Sequence, residues 1–253
     1  MIYNYHTHTP LCGHATGAPR EYVESAIENG IKTLGFSDHT PYVFPDTRPI
    51  QGLRMRCDQI QEYAQTVRAL AKEYAKDIRI LLGFEVEYYP DFHPEQMEFL
   101  RSVSPDYLIL GQHFVGDESF RKHVMNFPAD DYALLAYVSQ VLAAINTGDF
   151  LYVAHPDVAG MHYAEETLQR EYRRLCVGAK KRGVPLEINL LGLRDNRPYP
   201  SRKFFEIAAE VGNDVVFGVD AHSPQAFFDR TAERKAREMV KELGLHLIEQ
   251  PLL

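Results

Sequence analysis

A chain of 253 residues with 27 Lys plus Arg against 35 Asp plus Glu has a formal net charge of −8, which argues against the clustered basic surface that displaces counterions from a nucleic-acid backbone. With 45% hydrophobic and 25% charged residues the composition is neither that of a disordered chain nor that of a membrane-spanning one. About 250 residues is a routine size for an α/β barrel built as one domain, and a small phosphorylated substrate stays compatible with the acidity.

Short apolar runs alternate with longer amphipathic segments, the pattern of repeated βα units. Strands are predicted at residues 2–6, 32–37, 78–86, 107–112, 151–155, 186–189 and 215–218. Helices are predicted at 19–29, 57–75, 94–103, 130–147, 165–182, 202–211 and 224–243. Gly30, Gly148, Gly183 and Gly244 stand where helices should stop, and Ser201 and Ser223 where two should start. Two stretches break the rhythm, 40–56 with three prolines and 114–129 with Gly116 and Pro128; loops of that length inside a compact domain are often functional. No composition shift marks a boundary, so residues 1–253 are read as a single domain.

Cys12, Cys57 and Cys176 are odd in number and lack a CxxC pair, which points to a reducing compartment. The opening MIYNYHTHTP has no basic region followed by an apolar run of the secretory kind. A cytoplasmic, membrane-free protein is expected.

The eleven histidines are the unusual feature of the composition. His6 and His8 form an HxH pair at the end of the first strand, and on an extended backbone residues i and i+2 face one side. The second strand ends in Ser37-Asp38-His39, the third in Gly83-Phe84-Glu85, the fourth in Gly111-Gln112-His113, the fifth in His155-Pro156 and the seventh in Asp220-Ala221-His222. A satisfied core histidine or a capping aspartate explains any one of these, but not six strand ends together, where an α/β barrel places its reacting groups. Imidazole and carboxylate donors suit borderline divalent ions such as Zn, Mn or Fe. With His14 the candidates number nine, against about three protein ligands for one catalytic zinc, so more than one ion is expected. Cys12 reads as a small apolar loop residue rather than a thiolate ligand.

The ordered set HxH, SDH, GxE, QH, HP and DxH, running from His6 to His222, resembles the PHP (polymerase and histidinol phosphatase) superfamily. The resemblance implies a distorted (β/α)7 TIM-like barrel with a trinuclear metal site at the C-terminal ends of the strands. It implies three divalent ions: one on His6, His8, Glu85 and Asp220, a second on Glu85, His113 and His155, and a third on His14, His39 and His222. All nine positions are filled, which argues against a degenerate, non-catalytic module.

Within the superfamily the stretch Glu187-Ile188-Asn189-Leu190-Leu191-Gly192-Leu193-Arg194 and the absence of appended domains resemble the PHP-type histidinol-phosphate phosphatases. This implies hydrolysis of L-histidinol phosphate, with Arg194 on the substrate phosphate, a role suited to the planar guanidinium fork. The sequence departs from the family after the HP motif, reading HPDVAGMHY where a second basic clamp is usual; His162, Arg20, Arg54 or Arg56 are the candidates to replace it. Asp38 is expected as an orienter of a ligating histidine or as a proton donor. Glu187 and Asn189 share a strand face and would orient a ligand or bond within the core. The alternatives are a PHP phosphatase acting on another small ester or on phosphotyrosine, a nuclease, and a non-catalytic metal-binding scaffold.

Overall fold

The computed structural model describes residues 1–42, 52–116, 123–126, 131–159 and 163–253. In chain order the elements are β1 (Tyr3–Asn4), α1 (Pro19–Glu28), β2 (Thr33–His39), α2 (Ile60–Glu73), β3 (Arg79–Val86), α3 (His93–Arg101), β4 (Tyr107–Leu110), α4 (Asp131–Thr147), α5 (Glu165–Arg182), β5 (Leu186–Asn189), α6 (Leu190–Arg194), α7 (Arg202–Val211), β6 (Asp214–Gly218), α8 (Arg230–Leu243) and β7 (His246–Leu247). All strand pairs are parallel, in the orders β1-β2-β3-β4 and β5-β6-β7.

Single-residue bridges curl these two sheets into a barrel. Val153 pairs with Leu110 on one side and Leu186 on the other, and Thr7 pairs with Ala221 to close the ring. The fifth predicted strand, 151–155, is therefore present only as this link, because His155 takes a left-handed backbone (φ +29°) ahead of Pro156 and stops the ladder. A strand that sequence patterning missed, β7, lies beside the first residues of β6. Two residues are too few to show a period.

Side chains alternate cleanly along the strands. Leu34, Phe36, Ile80, Leu82, Phe84, Leu108, Leu110, Leu186, Ile188, Val215 and Phe217 face outward into one apolar layer shared with helix residues such as Val67, Leu134, Leu175 and Phe204. Leu81, Tyr107, Ile109 and Val216 face inward and pack with Tyr3, Tyr5 and Tyr152 as a plug. Glycine makes room for this inner layer: a Cβ at Gly35 or Gly83 would lie 2.2 or 2.4 Å from the Tyr107 ring or hydroxyl, whose OH donates to Tyr5 O at 2.7 Å.

Above the tyrosine layer the inward positions become polar. In β1 the ladder breaks after Asn4, whose Nδ2 donates to His6 O (3.1 Å) and Thr7 Oγ1 (2.8 Å) while its Oδ1 accepts from Val219 N (2.8 Å). The side chain thus replaces the missing backbone pairs, and this is why β1 is shorter than the predicted 2–6.

Helix ends follow local chemistry. Gly30, Gly148, Gly183 and Gly244 all have positive φ, and Ser201 Oγ accepts from Phe204 N (3.4 Å) at the start of α7. Ser223 makes no side-chain cap; the predicted helix 224–243 instead opens as a 3-10 turn (Pro224–Phe228) and restarts at Asp229, whose Oδ1 accepts from Thr231 N and Ala232 N at 3.0 and 3.1 Å. Among the described residues no helix is long and apolar enough to cross a membrane.

Candidate metal centre

The inward phase delivers Glu85 from the end of β3 into the middle of a ring of histidines. Its Oε2 lies 3.0 Å from His39 Nδ1, 3.5 Å from His8 Nε2 and 3.6 Å from His6 Nε2, and its Oε1 lies 2.9 Å from His155 Nε2 and 3.7 Å from His113 Nε2. Asp220 approaches from the other side, with Oδ1 at 3.2 Å from His8 Nε2, 3.3 Å from His222 Nδ1 and 3.5 Å from His6 Nε2. Burial alone would raise both carboxyls, but the neighbouring imidazoles hold them well below the usual range: chiefly His39, His113 and His6 for Glu85, and His6, His222 and His8 for Asp220. The His14 and His222 rings stack at 4.8 Å, with His39 at 5.4 Å from His14.

Donor atoms within 4.8 Å of one another form the sets His6, His8, Glu85; His6, His155, Asp220; His39, Glu85, His113; and His14, His39, His222. All nine sequence candidates are therefore brought together. Cys12 also comes near His8 and His222, and burial pushes its thiol up to about 12.

Further groups orient these rings. Glu187 Oε1 accepts from His6 Nδ1 at 2.8 Å, and Glu87 Oε1 from His113 Nδ1 at 2.8 Å. Asp38 sits 3.5 Å from His8 Nδ1 and accepts from the backbone N–H of His39 (2.8 Å) and Thr9 (3.1 Å). It is fully buried and does not line the cleft, so its bonds are those of an orienting side chain. Asn189 Nδ2 donates to Glu187 (2.9 Å) and Asp220 (3.1 Å), and its Oδ1 accepts from Gly192 N to cap α6. Sequence reasoning missed Glu87, although its place two residues beyond Glu85 is the same i, i+2 signal that marks HxH.

Two of the four non-glycine residues with positive φ among the described residues lie at the centre. Besides His155, Asp220 takes a left-handed conformation with φ +50°, a geometry costing about 1–3 kcal/mol for a residue with a Cβ and found most often where function requires it.

The centre opens into a cleft of about 420 Å³ lined on its outer part by Arg54, Phe114, His123, Met125, Val158 and Arg197, among others. Arg54 donates from Nη1 to Thr40 O (2.7 Å) and lies over the Tyr42 ring at 4.7 Å. Arg197 donates to Tyr199 OH (2.9 Å) and to Asp195 (3.2 Å). Arg194 stands behind the wall: Nη2 donates to Val219 O at 3.4 Å, and Nη1 is buried without a partner among the described residues. Arg20 pairs with Glu73 (2.6 Å) and Arg56 with Asp58 (2.9 Å), both away from the cleft. His162 lies outside the described residues. Arg197 and His123 were not singled out from sequence, because the turn after α6 and the return of the chain past Phe114 that place them show no period. His123 is pushed down to about 3 by burial and by the charges of His113 and His155, and is a neutral ring.

A probable histidinol-phosphatase of Deinococcus radiodurans is 32% identical over 251 residues, covering 94% of this chain and 92% of that protein. The histidinol-phosphatase of Bacillus subtilis is 26% identical over 248 residues, covering 86% and 92%. The crystal structure of histidinol phosphate phosphatase from Lactococcus lactis, complexed with zinc, L-histidinol and phosphate, shares the fold with a TM-score of 0.77 at 20% identity, over 98% of this chain and 95% of that one. The PHP domain pattern matches residues 4–190, the span that carries HxH, SDH, GxE, QH and HP, and the chain belongs to the PHP domain family.

Proposed function

We propose that this protein is a metal-dependent phosphoric monoester hydrolase that converts L-histidinol phosphate to L-histidinol and inorganic phosphate. One observation carries the metal dependence: among the described residues His6 Nε2, His8 Nε2, Glu85 Oε2 and Asp220 Oδ1 are buried without a well-formed hydrogen bond, each imidazole nitrogen 3.2 to 3.6 Å from both carboxylate oxygens. Leaving so many polar atoms unsatisfied costs about 1–3 kcal/mol each, a penalty that cations in their midst would remove.

We assign three divalent ions, Zn, Mn or Fe, to these donors: one to His6, His8, Glu85 and Asp220, one to Glu85, His113 and His155, and one to His14, His39 and His222. Bound there, such ions make water nucleophilic near neutral pH and neutralise phosphoryl oxygens. The chain's own residues supply the rest. Glu187 and Glu87 fix the ring orientations of His6 and His113, and Asp38 stands 3.5 Å from His8 Nδ1. Arg54 and Arg197 place positive charge on the cleft wall for a substrate phosphate, and Arg194 stands one layer behind with a free donor. Phe114, Met125 and Val158 give the outer cleft an apolar side that excludes water from the leaving group.

The choice of substrate is supported by the two relatives named histidinol-phosphatase that align over most of this chain. The three free cysteines support a cytoplasmic location. Steady-state kinetics across L-histidinol phosphate, phosphotyrosine, a nucleoside monophosphate and an aryl phosphate tests the reading. A kcat/KM at least about tenfold higher for L-histidinol phosphate, or about 1.4 kcal/mol, is expected; equal or higher values for phosphotyrosine would contradict it.

A further inference from the structure

His123 lines the cleft yet belongs to none of the donor sets around the metal centre. Its backbone bridges antiparallel to Phe114, and Val124 N donates to His113 O at 2.8 Å, so the residue is anchored to the end of β4. The Phe114 ring meets it edge to face at 5.5 Å and 74°. Its Nδ1 accepts from Met125 N at 3.2 Å, which settles the tautomer of a neutral imidazole: the proton is on Nε2. Among the described residues Nε2 has no hydrogen-bond partner.

The ring is 5.6 Å from that of His113, so His123 stands just beyond the metal centre on the wall shared with Phe114, Met125 and Val158. A phosphoryl group bound at the centre would direct its leaving group along this wall. Of the polar groups in L-histidinol phosphate outside the phosphoryl group, the ammonium only donates and the alcohol oxygen is esterified. The imidazole alone offers a neutral acceptor nitrogen.

We propose that His123 is the specificity residue for the leaving group, donating from Nε2 to the unprotonated nitrogen of the substrate imidazole. This rests on the histidinol-phosphate reading above. A site built to hydrogen-bond a substrate atom discriminates strongly against analogues that lack it.

The test is the ratio of kcat/KM for L-histidinol phosphate to that for phosphoethanolamine, an amino-alcohol phosphate without the ring, in the metal-loaded wild type, His123→Phe and His123→Gln. His123→Phe should lower the ratio by about tenfold or more, through KM for L-histidinol phosphate, and His123→Gln, which keeps a donor, should recover most of it. An unchanged ratio in His123→Phe, or an equal loss on both substrates, overturns the proposal and leaves the function standing. A wild-type ratio near one overturns both.

Discussion

Gly111→Ala is expected to lower kcat/KM by roughly 100-fold, the upper end of what loss of ligand support costs a metal site, although no ligand is replaced. A Cβ at this position would lie 1.9 Å from Glu85 Oε1 and 2.4 Å from its Cγ. Glu85 has nowhere to retreat, since His6, His8, His39, His113 and His155 surround its carboxylate. The methyl group therefore displaces the carboxylate that two ions would share. Overpacking of this kind costs about 1–3 kcal/mol in stability, so thermal unfolding of the metal-free protein should show a folded variant with a modestly lower Tm. Bound metal and turnover at wild-type levels in Gly111→Ala would mean that Glu85 does not bridge the centre.

Asp220→Asn should be more severe, with kcat/KM reduced about 1,000-fold, equivalent to about 4 kcal/mol of transition-state stabilisation. The amide keeps the shape of the side chain and removes only its charge. In the wild type that charge lies 3.2 to 3.5 Å from nitrogens of His8, His222 and His6. A neutral group there weakens metal binding and leaves less negative charge to balance the ions. Circular dichroism should show the native fold, because the outward apolar layer does not depend on Asp220. Wild-type turnover in this variant would remove Asp220 from the metal centre.

Much of the centre was legible in the sequence because its donors lie at or just past the strand ends, where the chain order places them without tertiary information. His6, His8, Glu85 and Asp220 are of this kind. The parts that escaped lie in irregular turns that show no period. Arg197 reaches the cleft because the chain turns back after α6, where Arg197 N donates to Gly192 O at 2.8 Å, and His123 because Phe114 pairs with it as the chain returns. Arg194 shows the converse: its position after the sixth predicted strand pointed to the substrate phosphate, but α6 carries its guanidinium beside Val219. The glycines that admit Glu85 and Glu187, Gly111 and Gly218, could be seen as residues but not as spaces.

Metal reconstitution of the chelated protein tests the central claim most directly. Activity on L-histidinol phosphate and bound metal per chain should be followed together during addition of Zn, Mn or Fe. Metal-free protein should be folded and inactive, and turnover should rise with binding and level off as three ions per chain are bound. Full turnover of L-histidinol phosphate with no metal bound, or three bound ions with no phosphatase activity on any of the four substrates, would contradict it.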